Sequence, residues 1–363
     1  MNKPRRVAYY VSAHGYGHGV RSSDIIRELC RRCPDVQVIV TSDLPVSFLK
    51  NRLGTASVEF RRGAFDVGMV QLDSIKVDLA ATLTALQELY ARKSELVKAE
   101  EQFLADRSIS LVVCDIPAIP IEAAKKVGIP AVAIGNFTWN WIYEDFAAAD
   151  RRWNPFIREI EKDYGKADLL LRLPFAERMK AFRRIEDIPV VASPGRPRRD
   201  DLVRLTGCSP QKKWVLLSFT TLDWNEAALG NVESIENYEF FTVKPLEWKR
   251  RNIHPVDREK ISFSDVLASV DVVISKPGFG LISECVVNRK PLVYSDRADF
   301  REYAILVESI DRYLRNQHIP SRELYAGDLK ESLDAVWTRP EPKETVPAGG
   351  AAIAAKRIGE FLA

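Results

Sequence analysis

Ten residues, Ser275-Lys-Pro-Gly-Phe-Gly-Leu-Ile-Ser-Glu284, combine two glycines, a proline and a carboxylate at spacings that suit an anion. An apolar, β-branched run, Val270-Asp-Val-Val-Ile274, precedes them and an apolar-periodic run ending near Val287 follows, which predicts strand, tight turn and helix. Proline and glycine let the chain turn sharply and leave no side chain in a ligand's way. The first helical N–H groups, from about Gly280 onward, lack intrahelical partners and lie beside the positive end of the helix dipole. Such a place holds a diphosphate. Glu284, four residues after Gly280, falls on the same helical face one turn on, within reach of a ribose hydroxyl pair. The same residues equally describe a β–α turn that binds nothing, with Glu284 facing water.

A second strand, glycine loop and helix stands near the start. Val7-Ala-Tyr-Tyr-Val11 is followed by Ser12-Ala-His-Gly-Tyr-Gly-His-Gly19 and a helical pattern from about Val20 to Cys30. The chain has four histidines, and His14 and His18 both sit in this loop. A histidine at the carboxyl end of a first strand faces the crevice where open α/β sheets bind ligands, and it can take a proton from a hydroxyl at neutral pH. The plain alternative is a loop histidine bonded to backbone. Zinc on the pair is disfavoured, because two glycines break the helix face that the spacing would need. Asp115, after the strand Leu111-Val-Val-Cys114, lies on the same rim and can either orient the histidine or cap the next helix.

The elements that must position these groups alternate. Strands are predicted at Val36–Val40, Ser57–Phe60 and Ile129–Ile134, with helices at Leu79–Phe103 and Ile121–Val127. After Pro189–Asp201, which contains Pro194-Gly-Arg-Pro-Arg-Arg199 and reads as a solvated linker, strands follow at Trp214–Ser218, Tyr238–Val243, Ile261–Phe263, before Ser275, and at Pro291–Tyr294. This pattern predicts parallel sheets with helices on both faces. The expected division is residues 1–190 as an amino-terminal domain, 191–345 as a smaller second one, and 346–363 as a terminal helix able to pack across their junction. Two such domains would face each other across a cleft. Trp139, Trp141, Tyr143 and Trp153 cluster between Phe137 and Phe156, as core packing or as the wall of an acceptor pocket.

Composition bounds the class. The chain has 363 residues, more than one typical core accommodates. Its 53 basic and 50 acidic residues, net +3, are too evenly balanced to argue for a nucleic-acid partner. No apolar run approaches the roughly 20 residues that span a bilayer, and Met1-Asn-Lys-Pro-Arg-Arg6 lacks a signal core, so a cytoplasmic location is expected. The five cysteines are odd in number, and Cys30-x-x-Cys33 lacks a second pair, which points to reduced, packed thiols.

The histidine loop and the Ser275–Glu284 turn, together with Arg289-Lys-Pro-Leu-Val293 and Asp299-Phe-Arg-Glu-Tyr303, resemble the GT-B nucleotide-sugar glycosyltransferases. The likeness is to the branch of the peptidoglycan N-acetylglucosaminyltransferase and to the domain preceding the kinase in plant arabinose kinases. It spans nearly the whole chain in organisation, with tight matches in those four stretches. The resemblance implies an α/β GT-B fold of two Rossmann-like, doubly wound parallel-sheet domains facing across a cleft. It implies Gly278, Phe279 and Gly280 for the donor diphosphate, Glu284 for the ribose, and Arg301 and Glu302 for the donor sugar. It also implies His18 as base oriented by Asp115, with His14, Gly15, Gly17 and Trp139 on the acceptor side. The donor would be a UDP- or dTDP-sugar, a substrate, with no cofactor, and the acceptor an unidentified small-molecule, glycan or lipid-linked hydroxyl.

Departures bear on these roles. Ser218-Phe-Thr-Thr-Leu-Asp-Trp224 stands where many relatives place glycines, so Thr220 and Thr221 either take over phosphate contacts or mark a site that binds no nucleotide sugar. No D-x-D triplet occurs, which fits metal-independent transfer. A nucleotide-sugar 2-epimerase and a non-catalytic sugar- or nucleotide-binding protein are the competing readings.

Overall fold

The computed structural model describes residues 5–72, 77–297 and 300–362. Asp299 of the Asp299–Tyr303 stretch lies outside the described residues. Two compact units are present, one comprising Met1–Val70, Asp78–Ala192 and Pro347–Ala363, the other Gln71–Val77 and Ser193–Val346.

In the first unit the strands are β1 (Arg6–Val11), β2 (Gln37–Thr41), β3 (Val58–Arg61), β4 (Leu111–Asp115), β5 (Ala131–Gly135), β6 (Leu169–Arg172) and β7 (Ile185–Asp187). They form one sheet in the order β3-β2-β1-β4-β5-β6-β7, every pairing parallel. Both faces are covered, which is why β1, β4 and β5 are almost continuously apolar rather than alternating. The second unit repeats the plan with β8 (Lys213–Ser218), β9 (Tyr238–Val243), β10 (Ile253–Val256), β11 (Val272–Ser275), β12 (Leu292–Ser295) and β13 (Asn316–Ile319). Its order is β10-β9-β8-β11-β12-β13, again all parallel.

In each sheet the strand order therefore reverses once, between β1 and β4 and between β8 and β11. Loops leaving the carboxyl ends of those two strand pairs diverge to opposite faces and leave a crevice for a ligand. His18 and Asp115 follow the first pair, and Ser218–Trp224 and Gly278 follow the second.

Several elements differ from expectation. The first helix spans Tyr16–Arg32, so His18 stands in its opening turn rather than in a loop, and Gly15 is the N-cap. Gly19 makes this possible: a β-carbon there would lie 2.6 Å from Phe48 and 2.7 Å from Leu44. Leu79–Phe103 is two helices, Leu79–Ala91 and Lys93–Asp106, broken at Arg92. Ile261–Phe263 is no strand; Ser262 Oγ accepts the Asp265 N–H and opens the helix Phe263–Ser269. The Pro194–Arg199 stretch keeps the largely exposed surface expected of a linker but is tied down at several points. Gly195 N–H donates to Asn288 and Arg198 N–H to Ser269, while the Arg199 guanidinium lies 3.8 Å from the Trp214 ring centroid. The terminal helix Gly350–Glu360 belongs to the first unit, where Val190 N–H donates to Pro347 O and Gly350 N–H to Val190 O.

Candidate functional site

At the reversal point of the first sheet, Val11 of β1 and Asp115 of β4 are in register, and Ser12 N–H donates to the Asp115 carbonyl at 2.7 Å. The Asp115 carboxylate is fully buried beneath the first helix. His18 Nδ1 lies 2.9 Å from its Oδ1, Arg21 donates to both oxygens, and Ser22 Oγ donates to Oδ2 at 2.7 Å. Arg21 Nη1 also reaches Asn136 Oδ1, after β5. Burial alone would raise the Asp115 pKa, but the charge and hydrogen bonds of Arg21, helped by His18, hold the carboxyl well below the usual aspartate range.

That ionised carboxylate assigns the imidazole tautomer. A carboxylate only accepts, so the proton belongs on Nδ1 and the lone pair on Nε2. Arg21 Nη2 also stands 2.9 Å from Nδ1, yet guanidinium and Nδ1–H are both donors, and the Asp115 oxygen between them takes both. Among the described residues no group hydrogen-bonds Nε2. A histidine fixed through Nδ1 with an open Nε2 is equipped to accept a proton.

His14 is held differently. Its Nδ1 accepts the Met69 N–H at 3.1 Å, and its ring meets Trp139 edge-on at 5.1 Å. The loop after β3 supplies this support: Gly68, at φ +69°, brings the backbone so close that a β-carbon would lie 2.4 Å from His14 Nδ1. Tyr143 Oη donates to the Gly68 carbonyl, and Trp139 Nε1 donates to Asp66 at 2.9 Å. Burial raises the Asp66 pKa. Trp139, Tyr143 and Trp153 are buried and packed on one another, which fixes the histidine segment from behind. Gly15 has no atom within 4 Å of its would-be β-carbon, and half-buried Gly17 lies in the helix's first turn.

In the second unit the matching position is built from β8 and β11, tied by Ser275 Oγ donating to the Ser218 carbonyl at 2.6 Å. The helix after β11 runs Phe279–Asn288, one residue earlier than expected. Gly278 is its N-cap, extended at φ −165°, with no side-chain cap and nothing within 4 Å of its would-be β-carbon. The N–H groups of Phe279, Gly280 and Leu281 thus open the helix, as at an anion site. Glu284 is buried one turn on, and Ser264 Oγ donates to its Oε1 at 3.2 Å. In Ser218–Trp224, Phe219, Leu222 and Trp224 are core anchors and Thr220 and Thr221 are exposed between them. Glu302 is buried at the start of the helix Tyr303–Tyr313, beside half-buried Arg301.

Sequence reasoning missed Arg21, Ser22, Asn136 and Asp66. Arg21 carried a signal, since it follows His18 by three residues and so shares its helix face once the helix starts at Tyr16. Ser22, four residues after His18, shares that signal, while Asn136 and Asp66 converge only through the strand order.

No family model matches the chain. It is 26% identical to the L-arabinokinase of Arabidopsis thaliana over 339 residues, 92% of this chain and 32% of that one, so it spans about a third of the length of the curated relative it matches. The solved glycotransferase of kitacinnamycin superposes with a TM-score of 0.62 at 15% identity, covering 99% of this chain and 95% of the other. UGT89C1 of Arabidopsis thaliana, solved in complex with UDP-L-rhamnose, gives 0.61 at 14% identity over 100% of both chains. The two reversing, all-parallel sheets and these superpositions along the whole chain establish that the protein has the GT-B fold of the glycosyltransferases.

Proposed function

We propose that this chain transfers a glycosyl group from a UDP- or dTDP-sugar to a hydroxyl acceptor, with no metal ion in the reaction. The observation that carries this reading is His18: Nδ1 is pinned by a buried, ionised Asp115 while Nε2 is open, at the reversal point of an α/β sheet. In the proposed reaction His18 Nε2 takes the proton of the acceptor hydroxyl and the acceptor oxygen bonds to the anomeric carbon. The bond from that carbon to the diphosphate breaks, and its electron pair leaves on the phosphate oxygen. The uncapped helix start at Gly278, Phe279 and Gly280 receives the leaving group, Glu284 the ribose, and Thr220, Thr221, Arg301 and Glu302 the rest of the donor. His14, Gly15, Gly17 and Trp139 form the acceptor side. The acceptor is a small-molecule, glycan or lipid-linked hydroxyl, and the nucleotide sugar is a substrate rather than a cofactor.

UGT89C1 with its UDP-L-rhamnose supports the donor class by likeness of fold. The phosphoryl transfer in the name of the arabinokinase belongs to a protein about three times as long. Among the described residues no helix is long and apolar enough to cross a membrane. The test is titration with UDP and dTDP, followed by incubation of UDP-sugars with a panel of hydroxyl acceptors and EDTA. Binding with acceptor-dependent UDP release supports the reading. Sugar conversion without an acceptor would favour an epimerase, and binding without turnover a non-catalytic protein.

A further inference from the structure

Arg297 follows β12, and its side chain is 8% exposed. Nη1 donates to the carbonyl of Pro277 at 3.3 Å, one peptide before the N-cap Gly278. The guanidinium carbon lies 3.2 Å from the Phe300 ring centroid, which fixes its plane. Among the described residues its counter-charge is Glu302, whose Oε1 stands 3.5 Å away, a long contact, and the buried Nε has no hydrogen-bond partner. Burial depresses its pKa to about 10, only partly offset by the Glu302 charge. A buried cation is costly unless paired. Here one is held against the segment that opens a ten-residue helix with no side-chain cap, and among the described residues no atom beyond its chain neighbours lies within 4 Å of a would-be β-carbon on Gly278.

We propose that Arg297 is a diphosphate-binding residue, whose guanidinium, braced by Phe300 and Pro277, neutralises a pyrophosphate seated on the N-terminus of the Phe279–Asn288 helix. This rests on the nucleotide-sugar reading of that helix and adds a side-chain cation to its backbone amides. The bound anion completes the pairing that Glu302 leaves partial, so the site is selective for the charged diphosphate over the nucleoside.

The experiment is calorimetric titration of the full chain and of R297Q and R297K with UDP, uridine and inorganic pyrophosphate. R297Q should lose about tenfold or more in UDP affinity, as expected for a charged hydrogen bond, while uridine affinity stays unchanged. R297K should keep part of the UDP affinity, and pyrophosphate should compete with UDP on the unmodified chain. Equal UDP affinity in R297Q and the parent, or an equal fold-loss for uridine, overturns the role of Arg297 and leaves the donor reading standing. Failure of the parent chain to bind UDP or dTDP overturns both. Should R297Q not fold, the R297K titration and the pyrophosphate competition decide: no loss in the first or no competition in the second counts against the proposal.

Discussion

His18 Nδ1 and Asp115 Oδ1 lie 2.9 Å apart although 97 positions separate them, because β1 and β4 are neighbours where the sheet reverses its order. The first helix drops His18 onto β4's last residue, and Arg21 and Ser22 follow onto the same carboxylate. The imidazole, the carboxylate that holds it and the cation that keeps that carboxylate ionised thus come from one crossing of helix over strand.

His18→Ala removes the open Nε2 together with the Nδ1 hydrogen bond to Asp115 and the ring's edge contact with Phe137. Turnover should fall by about 10²- to 10⁴-fold, the usual worth of a positioned base, with UDP affinity unchanged. Single-turnover rates and a UDP titration check this. A parallel loss of UDP binding would deny His18 its role as base.

Asp115→Asn should differ from His18→Ala in stability rather than in rate. It leaves Arg21 buried without its counter-ion, and breaking such a pair costs about 3–5 kcal/mol. Urea unfolding followed by tryptophan fluorescence should show the first unit's transition moving to lower denaturant, and turnover should also fall because Nδ1 loses its carboxylate. A transition at the parent position would mean that Arg21 finds another partner.

The pH dependence follows in sign. The Asp115 pKa is depressed in the folded chain, so the stability it contributes is fully present above the unfolded aspartate value, about 3.9, and is lost as pH falls through the lower folded value. The stability gap between the parent and Asp115→Asn should therefore be flat from pH 7 to about 4 and close only in stronger acid. Unfolding curves at stepped pH measure it, and a gap already closing near pH 6 would show that Asp115 is not its source.

How much of this was legible from the chain depends on how local the cause is. Tyr238–Val243 reads as a strand from its own aromatic and β-branched residues, and the glycine turn at Gly278 from its neighbours. Asn316–Ile319 does not, because an edge strand of Asn, Gln and His carries no apolar pattern. The early start of the first helix was hidden by Gly17 and Gly19, which look like loop residues until the contact of Gly19 with Leu44 and Phe48 is known. Asn136 meets Arg21, and Asp66 meets Trp139, from separate loops, so only strand order brings them there.

Two glycines should separate backbone need from ligand need. Gly68→Ala meets a left-handed φ of +69° and the His14 ring, and should cost at least about 1–2 kcal/mol in stability. Gly278→Ala meets neither, being extended with open space around it, so melting should be unchanged while UDP affinity falls because the methyl occupies the anion's approach. Thermal melts with and without UDP test the pair. Undiminished UDP stabilisation of Gly278→Ala would place the diphosphate elsewhere.

Glu284 is the residue whose role needs a cycle rather than a single variant. It is buried, and its Oε1 accepts from Ser264, so Glu284→Ala can weaken nucleotide binding by loosening the helix Phe263–Ser269 as well as by losing a ribose contact. The ribose contribution alone is read by comparing UDP with its 2′,3′-dideoxy analogue. If the carboxylate accepts from the ribose hydroxyls, the parent should prefer UDP by about tenfold or more, the worth of a hydrogen bond to a charged group. In Glu284→Ala that preference should vanish, the two ligands binding alike. A preference that survives the substitution leaves Glu284 a packing residue for the helix Phe263–Ser269, because a lost helix contact weakens both nucleotides by the same factor.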